Sequence, residues 1–149
     1  MRLRVSSSTD VDKYIAGHHY LHSTPAGARV RLWVVDDKDV IIGAMMWGRP
    51  TARTYNPKRI LELTRLYMVD NTAPFVESKA IAMARKYIRK HLPEIKGLIS
   101  YSSEGEGHRG TVYEADGWFA VGTTKARAWN RAGRRNIDTS KKTRWVRSV

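Results

Sequence analysis

Apolar and polar positions change period several times along the chain, and each change marks an element. Residues 2–5, Arg-Leu-Arg-Val, alternate weakly, as a strand with one wet face does. Val11, Tyr14, Ile15 and His18 then recur at the three- and four-residue spacing of a helix face, with N-cap oxygens on Ser8, Thr9 and Asp10 just before them. Ala28 to Val35 reads as a strand, Asp36-Asp37-Lys38-Asp39 as a tight turn, and Val40 to Trp47 as the hairpin partner. Gly48-Arg-Pro50 to Pro57 is a loop rich in breakers. Ile60 to Val69 sets Leu61, Leu63, Arg65 and Tyr67 against Glu62, Thr64, Leu66 and Met68, a half-polar strand with Glu62 and Arg65 on opposite faces.

Asn71, Thr72 and Pro74 open the longest helix, which runs to about His91 and is ended by Pro93. Its apolar side carries Ile81, Ala84, Ile88 and Leu92; Lys79, Arg85, Lys86, Arg89 and Lys90 cover the other. Gly97 to Tyr101 is a buried strand, followed by a polar, glycine-rich loop with Glu104, Glu106 and His108. A short helix then carries Tyr113 and stops at Gly117, a residue suited to the left-handed conformation that ends helices. Phe119 to Thr124 and Thr143 to Val146 are the last strands, with polar Asn130 to Lys142 between them. The helix between the strands at 60–69 and 97–101 predicts that these two are parallel neighbours. The expected fold is α/β, one domain over 1–149, with a mixed central sheet flanked by helices on both faces. Strand end, loop, helix start is where such a sheet opens its ligand crevice, so the residues from Ser100 to Trp118 carry the most weight.

Composition adds two constraints. There is no cysteine, which excludes a disulfide framework, a Cys-based zinc site and a thiol nucleophile. No apolar h-region is visible at the N-terminus, and the longest apolar run, Val40 to Gly48, is far below the roughly 20 residues that span a bilayer, so no membrane partner is expected and a cytoplasmic setting is. The net charge of +13 points to a polyanion, nucleic acid above all. It concentrates in 125–149, where Arg134, Arg135, Lys141, Lys142 and Arg144 are candidate phosphate contacts. Trp129 and Trp145, interleaved with these charges, offer indole faces for unpaired bases or simply pack.

Tyr113-Glu-Ala-Asp-Gly-Trp118, with that element order, resembles the GNAT superfamily of N-acetyltransferases, whose acyl-CoA enzymes often carry a tyrosine four residues before a Gly-aromatic pair. The resemblance implies a GNAT-like fold and a tyrosine that protonates the departing thiolate. A narrower resemblance rests on His19-Tyr20-Leu21-His22-Ser23, Glu62-Leu63-Thr64-Arg65-Leu66, Glu77-Ser78, Ser100-Tyr101 and Gly107-His108-Arg109-Gly110-Thr111-Val112-Tyr113. These blocks are similar, in order, to the phage Mom family of DNA-modification proteins. That resemblance implies conversion of adenine in phage DNA to an N6-carbamoylmethyl form that shields it from host restriction, in the cytoplasm of a bacterial host, with DNA and a small-molecule group donor as partners. It also implies that His19, Tyr20 and Tyr113 are functional. Where the family often has an aspartate, this chain has Ser103 with Glu104 beside it.

Attack by the adenine amine needs a base to take its proton and an acid to protonate what leaves. His19 or Glu104 suits the first task and Tyr113 the second; Tyr20 completes the catalytic set implied by resemblance. Ser23, Arg65, Ser78, Tyr101, Ser103 and His108 are candidate substrate or donor contacts, Arg65 as a clamp for phosphate or carboxylate. His18 and His22, four apart, could with His108 hold iron or zinc; one histidine acting as base is the simpler reading, since spacing fixes no third and fourth ligand. Asp70 to Ser78 contains no glycine, unlike the pyrophosphate loop of acyl-CoA enzymes, and Pro74 removes a donor, so acyl-CoA is not expected in the usual pose. Two other functions stay open: an acyl-CoA-dependent N-acetyltransferase acting on a protein or small amine, and a non-catalytic DNA-binding module.

Overall fold

The computed structural model describes residues 1–18, 27–70, 75–103, 110–124 and 142–149. Its elements follow the predicted order: β1 (Arg2–Ser6), α1 (Asp10–His18), β2 (Val30–Val35), β3 (Ile41–Gly48), β4 (Ile60–Met68), α2 (Val76–His91), β5 (Gly97–Ser103), α3 (Thr111–Ala115), β6 (Phe119–Thr124) and β7 (Lys142–Ser148). The strands form one sheet in the order β1-β2-β3-β4-β5-β7-β6. β4 and β5 are parallel, as the crossover helix between them requires, and the other neighbours are antiparallel. No described helix is long and apolar enough to cross a membrane.

Alternation along the strands sorts the side chains to two faces. On one face Leu32, Met45, Trp47, Leu61, Leu63 and Leu98 pack under Ala80, Ile81, Ala84 and Ile88 of α2. On the other, Val11 and Ile15 of α1 cover Ala44 and Met46, rimmed by Tyr14, Trp33 and Tyr67. The helices thus lie on both faces, as expected. The α2 face is closed further along by α3, where Trp118 and Trp145 join the core. Gly43 is required where β3 meets β4, because a Cβ there would stand 2.4 Å from the Tyr67 carbonyl oxygen and 2.4 Å from the Met68 sulfur.

One sequence expectation is corrected. Glu62 and Arg65 were expected on opposite faces, but the β3–β4 register slips between Met46 and Trp47: Gly48 faces Glu62, Trp47 faces Leu63, and Met46 faces Arg65. Thr64 is the extra residue of a bulge, so Glu62 and Arg65 emerge on the same, α1-side face. The predicted last strand, Thr143 to Val146, is present as β7. β7 runs between β5 and β6 and pairs along its length with β5, from Gly97↔Ser148 to Ser103↔Lys142.

Candidate functional site at the divergence of β4 and β5

The parallel pairing of β4 with β5 covers only Ile60↔Gly97, Leu61↔Leu98 and Glu62↔Ile99. β4 continues to Met68 and β5 to Ser103, where β5 pairs with β7 instead. A gap therefore opens at the carboxyl ends of two central parallel strands, the place where α/β sheets receive ligands. Ser100 stands at its apex, on the α2 side. Its Oγ lies 2.7 Å from the Tyr113 hydroxyl and 3.3 Å from the Leu63 carbonyl oxygen. One hydroxyl proton cannot serve both acceptors. When Ser100 donates to Tyr113, the phenolic proton is left to be donated elsewhere.

Tyr113 is held there by its surroundings. Its ring stacks on Trp145 (centroids 5.8 Å apart) and meets Trp118 edge-on at 5.3 Å. Trp145 Nε1 donates to Ser102 Oγ at 2.9 Å, which fixes the indole under the tyrosine. Gly110 starts α3 with φ +74°, and a Cβ there would come within 2.3 Å of the Trp145 ring. Only glycine lets the helix start this close to the indole. At the other end, Asp116 accepts two bonds from Arg85 of α2, both 2.7 Å, and one from Trp118 Nε1 at 2.8 Å. Arg147 Nε donates to the Asp116 carbonyl oxygen at 2.7 Å. Helix α3 is thus tied to α2 and β7 by a buried charge network, and Tyr113 rides on it.

On the other side of the sheet, the row through the last paired position holds Glu62, Ile99, Val146 and Phe119. The Glu62 carboxylate is buried, 6% exposed. Thr51 donates its N–H (3.0 Å) and its hydroxyl (3.1 Å) to the same oxygen, Oε1. Burial pushes the Glu62 carboxyl above its ordinary range, while the Thr51 bonds and the charges of Arg65 and Lys142 pull the other way. Tyr101 and Arg144 form the next cross-strand pair on this face. The Tyr101 hydroxyl is raised by burial, then by the charge of Glu62 and by Tyr55, with Arg144 opposing. The Arg144 guanidinium sits 5.9 Å from the Tyr55 ring centroid.

The sequence-predicted residues divide accordingly. Tyr113 lies at the gap on one face; Tyr101, Ser103, Arg65, Lys142 and Arg144 lie on the other, with Ser103 buried opposite Lys142. Ser78 is buried at the start of α2, and its Oγ donates to the Phe75 carbonyl at 3.0 Å, closing the first helical turn. Trp145, offered from sequence as a stacking surface or a packing residue, packs: it is 5% exposed. His18, exposed at the end of α1, stacks on Tyr67 with centroids 5.1 Å apart and adjoins Tyr14. His19, Tyr20, His22, Ser23, Glu104, His108, Arg134, Arg135, Lys141, Trp129 and the helix opening Asn71, Thr72 and Pro74 lie outside the described residues. Among the described residues no cluster of three or more His, Asp or Glu side chains could hold a metal. Sequence reading missed Ser100 as the partner of Tyr113, although a serine in an otherwise apolar buried strand is a polar group that must find a bond.

A mixed sheet that parts between two parallel strands beside a tyrosine-bearing short helix defines a GNAT-like fold. Solved structures agree. The chain superposes on the spermidine N-acetyltransferase from Vibrio cholerae in complex with CoA and spermine with a TM-score of 0.68 at 13% identity, covering 98% of this chain and 94% of that one. It superposes on an acetyltransferase of the GNAT family from Streptococcus pneumoniae with a TM-score of 0.68 at 9% identity, covering 99% and 98%. The Mom protein family model matches residues 2–148, and the chain belongs to that family. The methylcarbamoylase Mom of Escherichia phage Mu is 28% identical over 114 residues, 70% of this chain and 46% of that protein. The match spans about half the length of that relative.

Proposed function

We propose that this protein is a DNA-modifying group transferase that alters the N6 amine of adenine in phage DNA, in the manner of a carbamoylmethylation, and so protects that DNA from host restriction. Membership of the Mom family and likeness to a protein named methylcarbamoylase support the reading, and a net charge of +13 suits a DNA substrate. The observation that carries it is the Tyr113 hydroxyl, held by Ser100 at the mouth of the gap between β4 and β5.

The chemistry balances with one acid and one base. The adenine N6 forms a bond to the carbon of the transferred group as that carbon's bond to its leaving group breaks. A base, for which His19 and Glu104 are the candidates, takes one N6 proton. Tyr113 gives its phenolic proton to the departing group, and the phenolate left behind accepts the Ser100 hydroxyl as a charge-assisted hydrogen bond. The donor is a small molecule with an anionic leaving group. Glu77, which puts a negative charge in the first turn of α2, weighs against acyl-CoA in its usual pose.

Mass spectrometry of nucleosides from DNA of cells expressing the protein tests this. A modified deoxyadenosine should be present with the native chain and lost, by about 10²-fold or more, with Tyr113→Phe, which keeps the ring and removes only the acid. Unmodified nucleosides alongside acetylated protein or polyamine would replace this function with an acetyltransferase one. Unmodified nucleosides with DNA binding intact would leave a DNA-binding module.

A further inference from the structure

The α1-side face of the sheet is covered by α1 only over β2, β3 and β4. Across β5, β7 and β6 no described helix lies on this face, and its side chains are of three kinds. Flat rings are present: Tyr101 and Tyr55 at its inner end, Phe119 on the outer strand, 70% exposed. Cations are present: Arg144 beside Tyr101 and Lys142 beyond it. One buried anion, Glu62, stands at the edge of the gap.

Two of these groups have polar atoms that no described residue bonds. Both Thr51 donors go to Glu62 Oε1, and among the described residues no hydrogen bond reaches Oε2. The Arg144 Nε is buried and has no hydrogen-bond partner among the described residues, and its Nη2 reaches only the Val121 carbonyl, at 3.5 Å. A buried guanidinium N–H without a partner is costly unless something else completes it. A ligand suited to these groups donates to Glu62, accepts from Arg144 and lies flat against tyrosine. A base with an exocyclic amine, ring nitrogens and an attached phosphate has all three features.

We propose that this half-face holds a single unpaired adenine nucleotide of the DNA strand, its N6 amine donating to Glu62 Oε2 and its ring against Tyr101. The inference rests on the adenine-modifying reading above and adds where, and in what state, the base is held. Burial of Glu62 beneath the surface means that a base inside a stacked duplex cannot reach it, so the nucleotide leaves the helix first. Its amine then sits beside the gap, with Tyr113 at the gap's other mouth. Phe119, about 14 Å away across three strand spacings, is placed for a neighbouring nucleotide rather than the same base.

Thr51 supplies an unusually clean test. In Glu62→Gln the amide oxygen is held at the Oε1 position by the Thr51 donors, so the NH₂ takes the place of Oε2 and an acceptor becomes a donor. The probe is a short strand of abasic sugar units carrying one deoxyadenosine or one deoxyinosine, which has an accepting oxygen in place of the amine. The native chain should bind the adenine strand about tenfold or more tighter, the value of one hydrogen bond to a charged group. Glu62→Gln should reverse the order. Tyr101→Leu should weaken both strands about five- to 100-fold and leave their ratio unchanged, as loss of stacking does. Equal binding of the two strands by the native chain, or an unchanged preference in a Glu62→Gln protein with native unfolding behaviour, overturns the proposal. Should Glu62→Gln not fold, the native preference and the Tyr101→Leu result decide alone. Adenosine monophosphate binding as tightly as the strand, with the same dependence on Glu62, would give the site to a nucleotide-containing donor and likewise overturn it. Modified deoxyadenosine in cells with no discrimination at Glu62 sinks this inference and spares the function. Discrimination without modified deoxyadenosine does the reverse.

Discussion

Removing the Asp116 side chain should be among the most damaging single changes in the chain. In Asp116→Ala the Arg85 guanidinium, only 10% exposed, loses both of its 2.7 Å bonds, and the Trp118 indole N–H loses its 2.8 Å bond. Breaking a buried ion pair by deleting one partner costs about 3–5 kcal/mol, because the other charge stays buried and unpaired. At about 2–4 °C per kcal/mol for a chain of this size, the midpoint of thermal unfolding should fall by about 6–20 °C. The pair's own net worth is a separate quantity. Arg85→Met combined with Asp116→Leu removes both charges and refills the space, and should cost less than either single truncation, since an apolar pair of similar volume often matches a buried ion pair. Urea unfolding of native, single and double variants gives the full cycle. A loss below about 1 kcal/mol in Asp116→Ala would mean that Arg85 finds water, and that α3 is not held to α2 by this network.

Two further outcomes follow from particular contacts. Because the Glu62 carboxyl is raised by burial, the folded state holds its proton more tightly than the unfolded chain, so Glu62 costs stability that is absent below about pH 4.5 and grows as pH rises through its folded value. Unfolding of native and Glu62→Gln chains from pH 4 to 8 should show the variant gaining relative stability with rising pH, and a flat difference would place Glu62 in water. Gly110→Ala should destabilise by about 2–4 kcal/mol, from a left-handed backbone and from displacement of the Trp145 ring, and should reduce modification with it; a neutral effect in chemical unfolding would show that the indole is free to move.

Period alone carried most of the architecture. The 3.6-residue stripe over Val11, Tyr14, Ile15 and His18, and the one over Ile81, Ala84 and Ile88, became the two long helices because each had an apolar sheet face to cover. The parallel pairing of β4 and β5 was legible because a crossover helix leaves little else for two neighbouring strands. Two-residue alternation failed at Thr64, since a bulge inserts one residue without any mark in the apolar pattern. That single slip moved Arg65 to the same face as Glu62. Of the two readings the sequence left for Trp145, stacking on bases or packing, packing holds: it sits in a strand between two others and its ring supports Tyr113.

The gap itself could not be read from the chain, because nothing in β4 or β5 announces where their pairing stops. Leu63 and Ser100 are sequentially ordinary strand residues. What ends the pairing is competition: β5 has β7 on its other edge for its whole length, while β4 holds β3 across the bulge, so beyond Glu62 and Ile99 each strand follows its antiparallel partner. Backbone groups facing the gap then need partners from elsewhere, and the Leu63 carbonyl takes the Ser100 hydroxyl. The same serine is what Tyr113 meets. Local pairing strength thus sets both the opening and the place of the serine hydroxyl that Tyr113 meets, and the chemistry assigned to Tyr113 depends on strand registers set elsewhere in the sheet.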